Sequence, residues 1–216
     1  MIETMMDAIV QYFSDFTLVK AVDMAGLVLG LIYLWLEFKA SIWLWLVSVI
    51  MPIVHGYLYW ARGLYADFGM EVYYVLAAVY GYAMWRWVRS RDSGQDGGQP
   101  AERPITRFPL RLVLPVSLVG LALWAGIYWV LVTFTDSTVP LCDSFTTALS
   151  MVALWALAKK YAEQWLLWLV VDLVCAVLYV YKQIPFTACL YAFYTVMAVL
   201  GYRYWLKKMR QQTAGE

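Results

Sequence analysis

Seven apolar stretches mark out the chain: Val19–Phe38, Ile42–Tyr59, Leu64–Val88, Leu112–Thr135, Ser144–Ala158, Trp165–Tyr181 and Ile184–Trp205. A helix that crosses a bilayer needs about 20 mostly apolar residues. Most of the stretches reach that length; the fifth is short, and only Lys182 and Gln183 separate the sixth from the seventh. The first does not read as a cleaved signal peptide. It starts late, has no basic front and flows into another span without a small-residue cleavage site. The polar interval Arg91–Pro104 (RDSGQDGGQPAERP) is rich in Gly and breaks the series into three helices and four, as a flexible linker does. The pattern predicts an all-α membrane protein with seven transmembrane helices.

Composition agrees. Of 216 residues 63% are hydrophobic and only 14% charged, against roughly 45–50% and 25% in a soluble domain. The 12 Trp and 17 Tyr suit a headgroup boundary or a ligand pocket. The net charge of +1 gives no support for nucleic-acid binding. The placement of Lys and Arg is more telling. One set of loops carries Lys39, Arg86, Arg89, Arg91, Arg103, Arg107, Arg111, Lys159, Lys160, Arg203, Lys207, Lys208 and Arg210; the other carries only Lys20, Arg62 and Lys182. The positive-inside rule puts the linker and C-terminus in the cytoplasm and, with seven spans, the N-terminus outside.

Displaced by 120 residues, the first three helices align with the last three without a gap. Asp23 falls on Asp143, Trp35 on Trp155, Lys39 on Lys159, Trp45 on Trp165, Tyr59 on Tyr179, Tyr74 on Tyr194, Gly81 on Gly201, Tyr82 on Tyr202 and Trp85 on Trp205. Over residues 21–88 about 16 of 68 positions are identical. The expected organisation is a first triple-helix repeat (1–90), a cytoplasmic linker (91–111), a linking transmembrane helix (112–140), a second repeat (141–206) and a cytoplasmic tail (207–216). The odd linking helix makes the two triplets parallel. Parallel repeats of this kind build transporters that hold a substrate between their halves.

Candidate binding groups lie on matched helix faces. Trp165, Trp168, Asp172, Cys175 and Tyr179 are spaced three, four, three and four apart, which puts them on one face. A carboxylate at the depth of Asp172 costs on the order of 2.5–3.5 kcal/mol if it faces lipid, so Asp172 is expected to face inward. The matching stripe of the first repeat is Trp45, Ser48, Pro52, His55 and Tyr59. Pro52 lacks an amide hydrogen and is expected to kink its helix. His55 is the only histidine; it either donates to a substrate or bonds a neighbour. Glu71 is a second intramembrane acid, with Tyr74 one turn further in on the same side. Tyr194 is the repeat partner of Tyr74. Acids among aromatic rings suit a flat cation, since a dry cation–π contact contributes about 2 kcal/mol. Asp23, Asp67 and Asp143 sit near the outer helix ends, where capping explains them.

The stretch DSFTTALSMVALWALAKKYAEQWLLWLVVDLVCAVLYVYKQIPFTACLYAFYTVMAVLGYRYW (143–205), above all WLLWLVVD, resembles the PnuC family of bacterial vitamin transporters, relatives of the SWEET and SemiSWEET sugar transporters. GLYADFGMEVYYVLAAVYGYAMW (63–85) is similar to the same family in the first half. The resemblance implies a SWEET-like 3+1+3 arrangement, a homotrimer in the bacterial inner membrane, and facilitated diffusion of an unphosphorylated vitamin precursor that a cytoplasmic kinase then traps. It implies no cofactor. Typical members carry nicotinamide riboside and relatives called PnuT carry thiamine. Here Asp172 stands at the family motif's Asn, Glu71 where those members often show Gln, and Ser48 at another Asn position. An amide suits ribose hydroxyls and a carboxamide, whereas an acid suits the amine and ring nitrogen of an aminopyrimidine. Thiamine is therefore the expected cargo, ahead of nicotinamide riboside, with uncharged riboflavin third.

Other classes fit less well. A membrane enzyme needs a nucleophile with its base or a metal cluster, and the chain has neither a His-x-x-Glu-His nor a Gly-x-Ser-x-Gly motif. Cys142, Cys175 and Cys189 have no metal or disulfide spacing and read as packing residues. A channel would present a repeated acidic ring, yet Asp172 and Glu71 fall opposite Pro52 and Tyr191.

Overall fold

The computed structural model describes residues 18–61, 65–92, 103–181 and 185–214. These form α1 (Leu18–Phe38), α2 (Trp43–Ala61), α3 (Tyr65–Asp92), a 3-10 turn (Leu110–Leu112), α4 (Val113–Phe134), α5 (Pro140–Ala158), α6 (Gln164–Tyr181) and α7 (Pro185–Ala214). Each apolar stretch is thus a helix, and the described chain is all-α. Helix α5 starts earlier than the apolar pattern implies, with Pro140 in its first turn, where a missing N–H costs nothing. Helix α7 runs past Trp205 to Ala214. Among the described residues, Leu110–Phe134, Pro140–Ala158 and Gln164–Tyr181 are long and apolar enough to cross a membrane, while Val28–Phe38 and Trp43–Tyr57 are shorter apolar helices.

The chain forms two compact units, Met1–Val75 and Leu76–Glu216, and α3 contributes to both. The 120-residue repeat is written into the backbone of each. Helix α1 ends with Ala40 in the left-handed region at φ 55°, and α5 ends with Lys160 at φ 53°. In the first turn Ser41 N donates to Leu36 O (2.9 Å) and Ala40 N to Glu37 O (2.9 Å). In the second, Tyr161 N donates to Ala156 O (3.0 Å) and Lys160 N to Leu157 O (2.8 Å). This pair of bonds is the Schellman closure, which ordinarily takes glycine at the left-handed position. Both turns adopt it without one.

In the second unit, small residues bring the helices together. Lipid gives no hydrophobic drive for helix association, so close van der Waals approach has to supply it. Helix α5 buries Ser144, Ala148, Ala153 and Ala156, and α7 buries Ala188 and Ala198. At Gly201 an added Cβ would stand 2.6 Å from the Trp165 ring, so only glycine leaves room for that indole. Trp165 also meets Trp205 edge to face at 5.9 Å. Helix α4 has no buried residue. It is held to α5 by Trp124, whose Nε1 donates to Leu141 O at 3.3 Å and whose ring meets Phe145 at 5.4 Å.

A short strap precedes α4. Thr106 N donates to Lys160 O (3.1 Å) and Ala162 N to Thr106 O (2.9 Å), a single parallel β-bridge to the α5–α6 turn. Ile105 N donates to Gln212 Oε1 (3.2 Å) and Phe108 N to Glu163 Oε2 (2.7 Å). Arg107 Nη1 donates to Glu163 Oε1 at 3.0 Å and to the Tyr202 hydroxyl at 3.1 Å. The Glu163 bond, helped by Tyr202, raises the Arg107 pKa above its ordinary value. The Phe108 ring packs on Tyr161 (5.2 Å) and Trp155 (6.2 Å). The segment read as linker, 91–111, is therefore helical at its start and docked at its end; 93–102 lie outside the described residues. Helix α3 meets the same turn: Trp85 Nε1 donates to Ala158 O (3.1 Å), and Lys160, only 3% exposed, places Nζ 4.2 Å from the centre of the Trp85 ring.

Candidate functional site

Helix α6 carries the inward face that its sequence spacing predicts. Trp165, Asp172 and Cys175 are buried, whereas Leu166, Val170, Leu173 and Val177 are exposed. Asp172 is 7% exposed. Among the described residues it has no hydrogen bond or ion pair. Its electrostatic neighbours are Tyr191 and Tyr194 of α7, close enough for its charge to act on both. Those rings belong to a cluster: Tyr191 stacks on Tyr179 with centroids 5.2 Å apart and an angle of 17°, and meets Tyr194 edge to face at 5.9 Å. One turn before Asp172, the Trp168 Nε1 is buried and has no hydrogen-bond partner among the described residues. Asp172 and Tyr194, both singled out from sequence, are thus electrostatic neighbours across α6 and α7, and Trp168 lies one turn from Asp172 on α6. Tyr191 is an addition that sequence reasoning missed. The available signal was that it stands at the repeat position of Glu71. Trp165, by contrast, is 1% exposed and wedged between Gly201 and Trp205, which makes it part of the packing that shapes the face.

The first repeat presents different chemistry on the same frame. Its intramembrane acid is paired: His55 Nδ1 lies 3.7 Å from Glu71 Oε1. Sequence reading gave His55 either a substrate or a neighbour; the neighbour it meets is this carboxylate. At the neighbouring Gly56 an added Cβ would stand in ordinary van der Waals contact with the Glu71 Cβ, at 3.6 Å. Tyr74 lies within electrostatic reach of Glu71, as expected one turn along, and meets Tyr73 edge to face at 5.7 Å. Trp45 is buried at 2% exposure, and the Ser48 hydroxyl donates to the Trp45 carbonyl at 2.9 Å. That bond satisfies the hydroxyl within its own helix. Pro52 lies inside α2. The side chains of Tyr59, Asp23 and Asp67 lie outside the described residues. Asp143 sits in the first turn of α5, where a negative charge faces the positive end of the helix dipole, and accepts a hydrogen bond from Ser137 Oγ at 2.8 Å.

A buried carboxylate with no hydrogen bond or ion pair among the described residues, within reach of two tyrosines, is suited to a small ligand that brings a positive charge or hydrogen-bond donors. The comparisons with known proteins agree with a transporter. The chain is 28% identical over 191 residues to the riboflavin/roseoflavin transporter RibM of Streptomyces davaonensis, covering 88% of this chain and 87% of the relative. It is 24% identical over 215 residues to the nicotinamide riboside transporter PnuC of Escherichia coli, with 88% and 87% covered. Its fold matches the crystal structure of the vitamin B3 transporter PnuC with a TM-score of 0.63 at 24% identity, covering 85% of this chain and 80% of that one. Residues 20–207 match the nicotinamide mononucleotide transporter family. The chain belongs to that family, the PnuC family of multi-pass membrane vitamin transporters.

Proposed function

We propose that this protein carries thiamine across the bacterial inner membrane by facilitated diffusion, with trapping by a cytoplasmic kinase. The reading rests on one observation above all: Asp172 is buried, lies among aromatic rings and is unmatched by any basic side chain among the described residues. A fixed positive charge on the cargo supplies what the protein withholds. Trp168 and Tyr194 flank that acid, and Trp165 shapes the wall behind it. Glu71, already accompanied by His55, contributes from the first repeat together with Tyr74, Trp45 and Ser48. Seven spans in a 3+1+3 order, an outside N-terminus, a cytoplasmic C-terminus and a homotrimer complete the picture.

Purified protein in liposomes should take up free thiamine saturably and equally well with and without proton or sodium gradients. Strict gradient dependence would reject facilitated diffusion. Asp172→Asn, nearly isosteric, should weaken thiamine binding by about 1–3 kcal/mol, as removal of a charged partner does. Unchanged affinity in the folded variant would take Asp172 out of the site. A second reading, nicotinamide riboside, is supported by the named activity of the PnuC relatives; that cargo is also a cation and would bind the same acid. Riboflavin, named for RibM, is uncharged and leaves Asp172 unexplained.

A further inference from the structure

The first turn of α6 holds a group that transport as described so far does not use. Gln164 is 0% exposed, and neither Oε1 nor Nε2 of its amide has a hydrogen-bond partner among the described residues. A buried amide without a partner costs about 1–3 kcal/mol, so packing alone gives no reason to keep one. The repeat makes that point sharply. The matching position in the first unit is Leu44, also 0% exposed. An apolar side chain of similar volume therefore fills the same place in the same backbone frame.

Gln164 is also not isolated. It begins a column on α6 at intervals of one turn: Gln164, then Trp168 with its unpartnered Nε1, then Asp172. The column rises about 6 Å per step. Burial is greatest at its Gln164 end, where Leu157, Ala158, Lys160, Ala162, Trp165 and Trp205 are each at most 3% exposed. The amide is enclosed in that packing.

We propose that Gln164 is a turnover-setting residue: its unpaired amide destabilises the closed state of this end, and the cost is recovered when the end opens and the amide meets water or a hydroxyl or amine of the passing cargo. The inference rests on the carrier reading, because only a protein that opens there gains from the amide. A ligand moves an equilibrium only through its differential interaction with the two states, and the same holds for a side chain.

Gln164→Leu tests this with a residue that the first repeat already accommodates. The variant should unfold at a higher temperature in detergent and keep thiamine affinity within about twofold. Its liposome uptake should slow by about 5- to 150-fold, the closed-state cost converted to an equilibrium shift. Hydrogen–deuterium exchange over residues 160–168, measured without any vitamin, should also slow. The mirror variant Leu44→Gln should hasten exchange over residues 40–48 and lower the unfolding temperature. Unchanged exchange and uptake in Gln164→Leu would overturn the proposal. So would a loss of stability and affinity together, which would make the amide a structural group. Failure of thiamine, nicotinamide riboside and riboflavin all to bind the parent protein would instead remove the carrier reading, while the exchange measurement still reports on the amide.

Discussion

The two repeats are the same scaffold given two kinds of chemistry. Where packing decides, they coincide: Trp45 and Trp165, Ala78 and Ala198, Trp85 and Trp205 are buried in both, and both opening helices end in the same left-handed turn. Where a ligand would decide, they part. Pro52 stands against Asp172, His55 against Cys175, Glu71 against Tyr191 and Leu44 against Gln164. The first unit sets a histidine 3.7 Å from its acid. The second buries its acid with no ion pair among the described residues. A duplicated frame need not carry identical chemistry in its two copies.

Five substitutions probe how far the likeness reaches. The largest effect is expected at Gly201, where alanine drives a Cβ into the Trp165 ring at 2.6 Å. Overpacking of this kind costs about 1–3 kcal/mol. By contrast Gly69→Ala, with nothing within 4 Å, should gain about 0.5–1 kcal/mol as a helix interior residue. Thermal unfolding of both variants in one detergent decides the matter, and equal shifts would mean that the indole does not depend on Gly201. Next come the twin turns. Ala40→Gly should stabilise by about 0.5–1 kcal/mol, since glycine adopts the left-handed region freely. Lys160→Gly relieves the same backbone but removes the ammonium from the Trp85 ring, a contact of up to about 2 kcal/mol when dry, and should come out destabilised. If both variants gain alike, the cation–π contact contributes nothing. The smallest effect on stability belongs to Glu163→Ala, which releases Arg107 and the Phe108 amide. Global unfolding should barely move, yet trypsin should cut the Arg107–Phe108 bond faster; an unchanged cleavage rate would show that the strap holds by its backbone bridge alone.

Periodicity made most of this fold legible in the amino-acid sequence. Apolar run lengths located the helices to within a few residues, apart from the C-terminal end of α7, which runs on to Ala214, because a membrane leaves the backbone few other options. The three-four spacing on α6 oriented Asp172 correctly, since a single helix face is a local property. The His55–Glu71 contact was beyond reach, because it joins two helices whose rotation about their own axes no local pattern fixes. Tyr191 was missed for a related reason: as one of 17 tyrosines it stands out only once α7 is laid beside Asp172. The strap failed differently. Its Pro and Arg residues read as linker chemistry, and its order comes from partners some fifty residues later in the chain, among them Glu163.

That strap bears on how the protein is made. A ribosome delivers Ile105–Phe108 well before the turn at Lys160–Glu163, and Gln212, which receives the Ile105 amide, later still. Helix α4 is therefore made with its leading segment unanchored and gains its mooring only once those later residues have emerged. Truncations that spare every spanning segment but remove the final turn of α7 should still insert, yet leave that mooring incomplete.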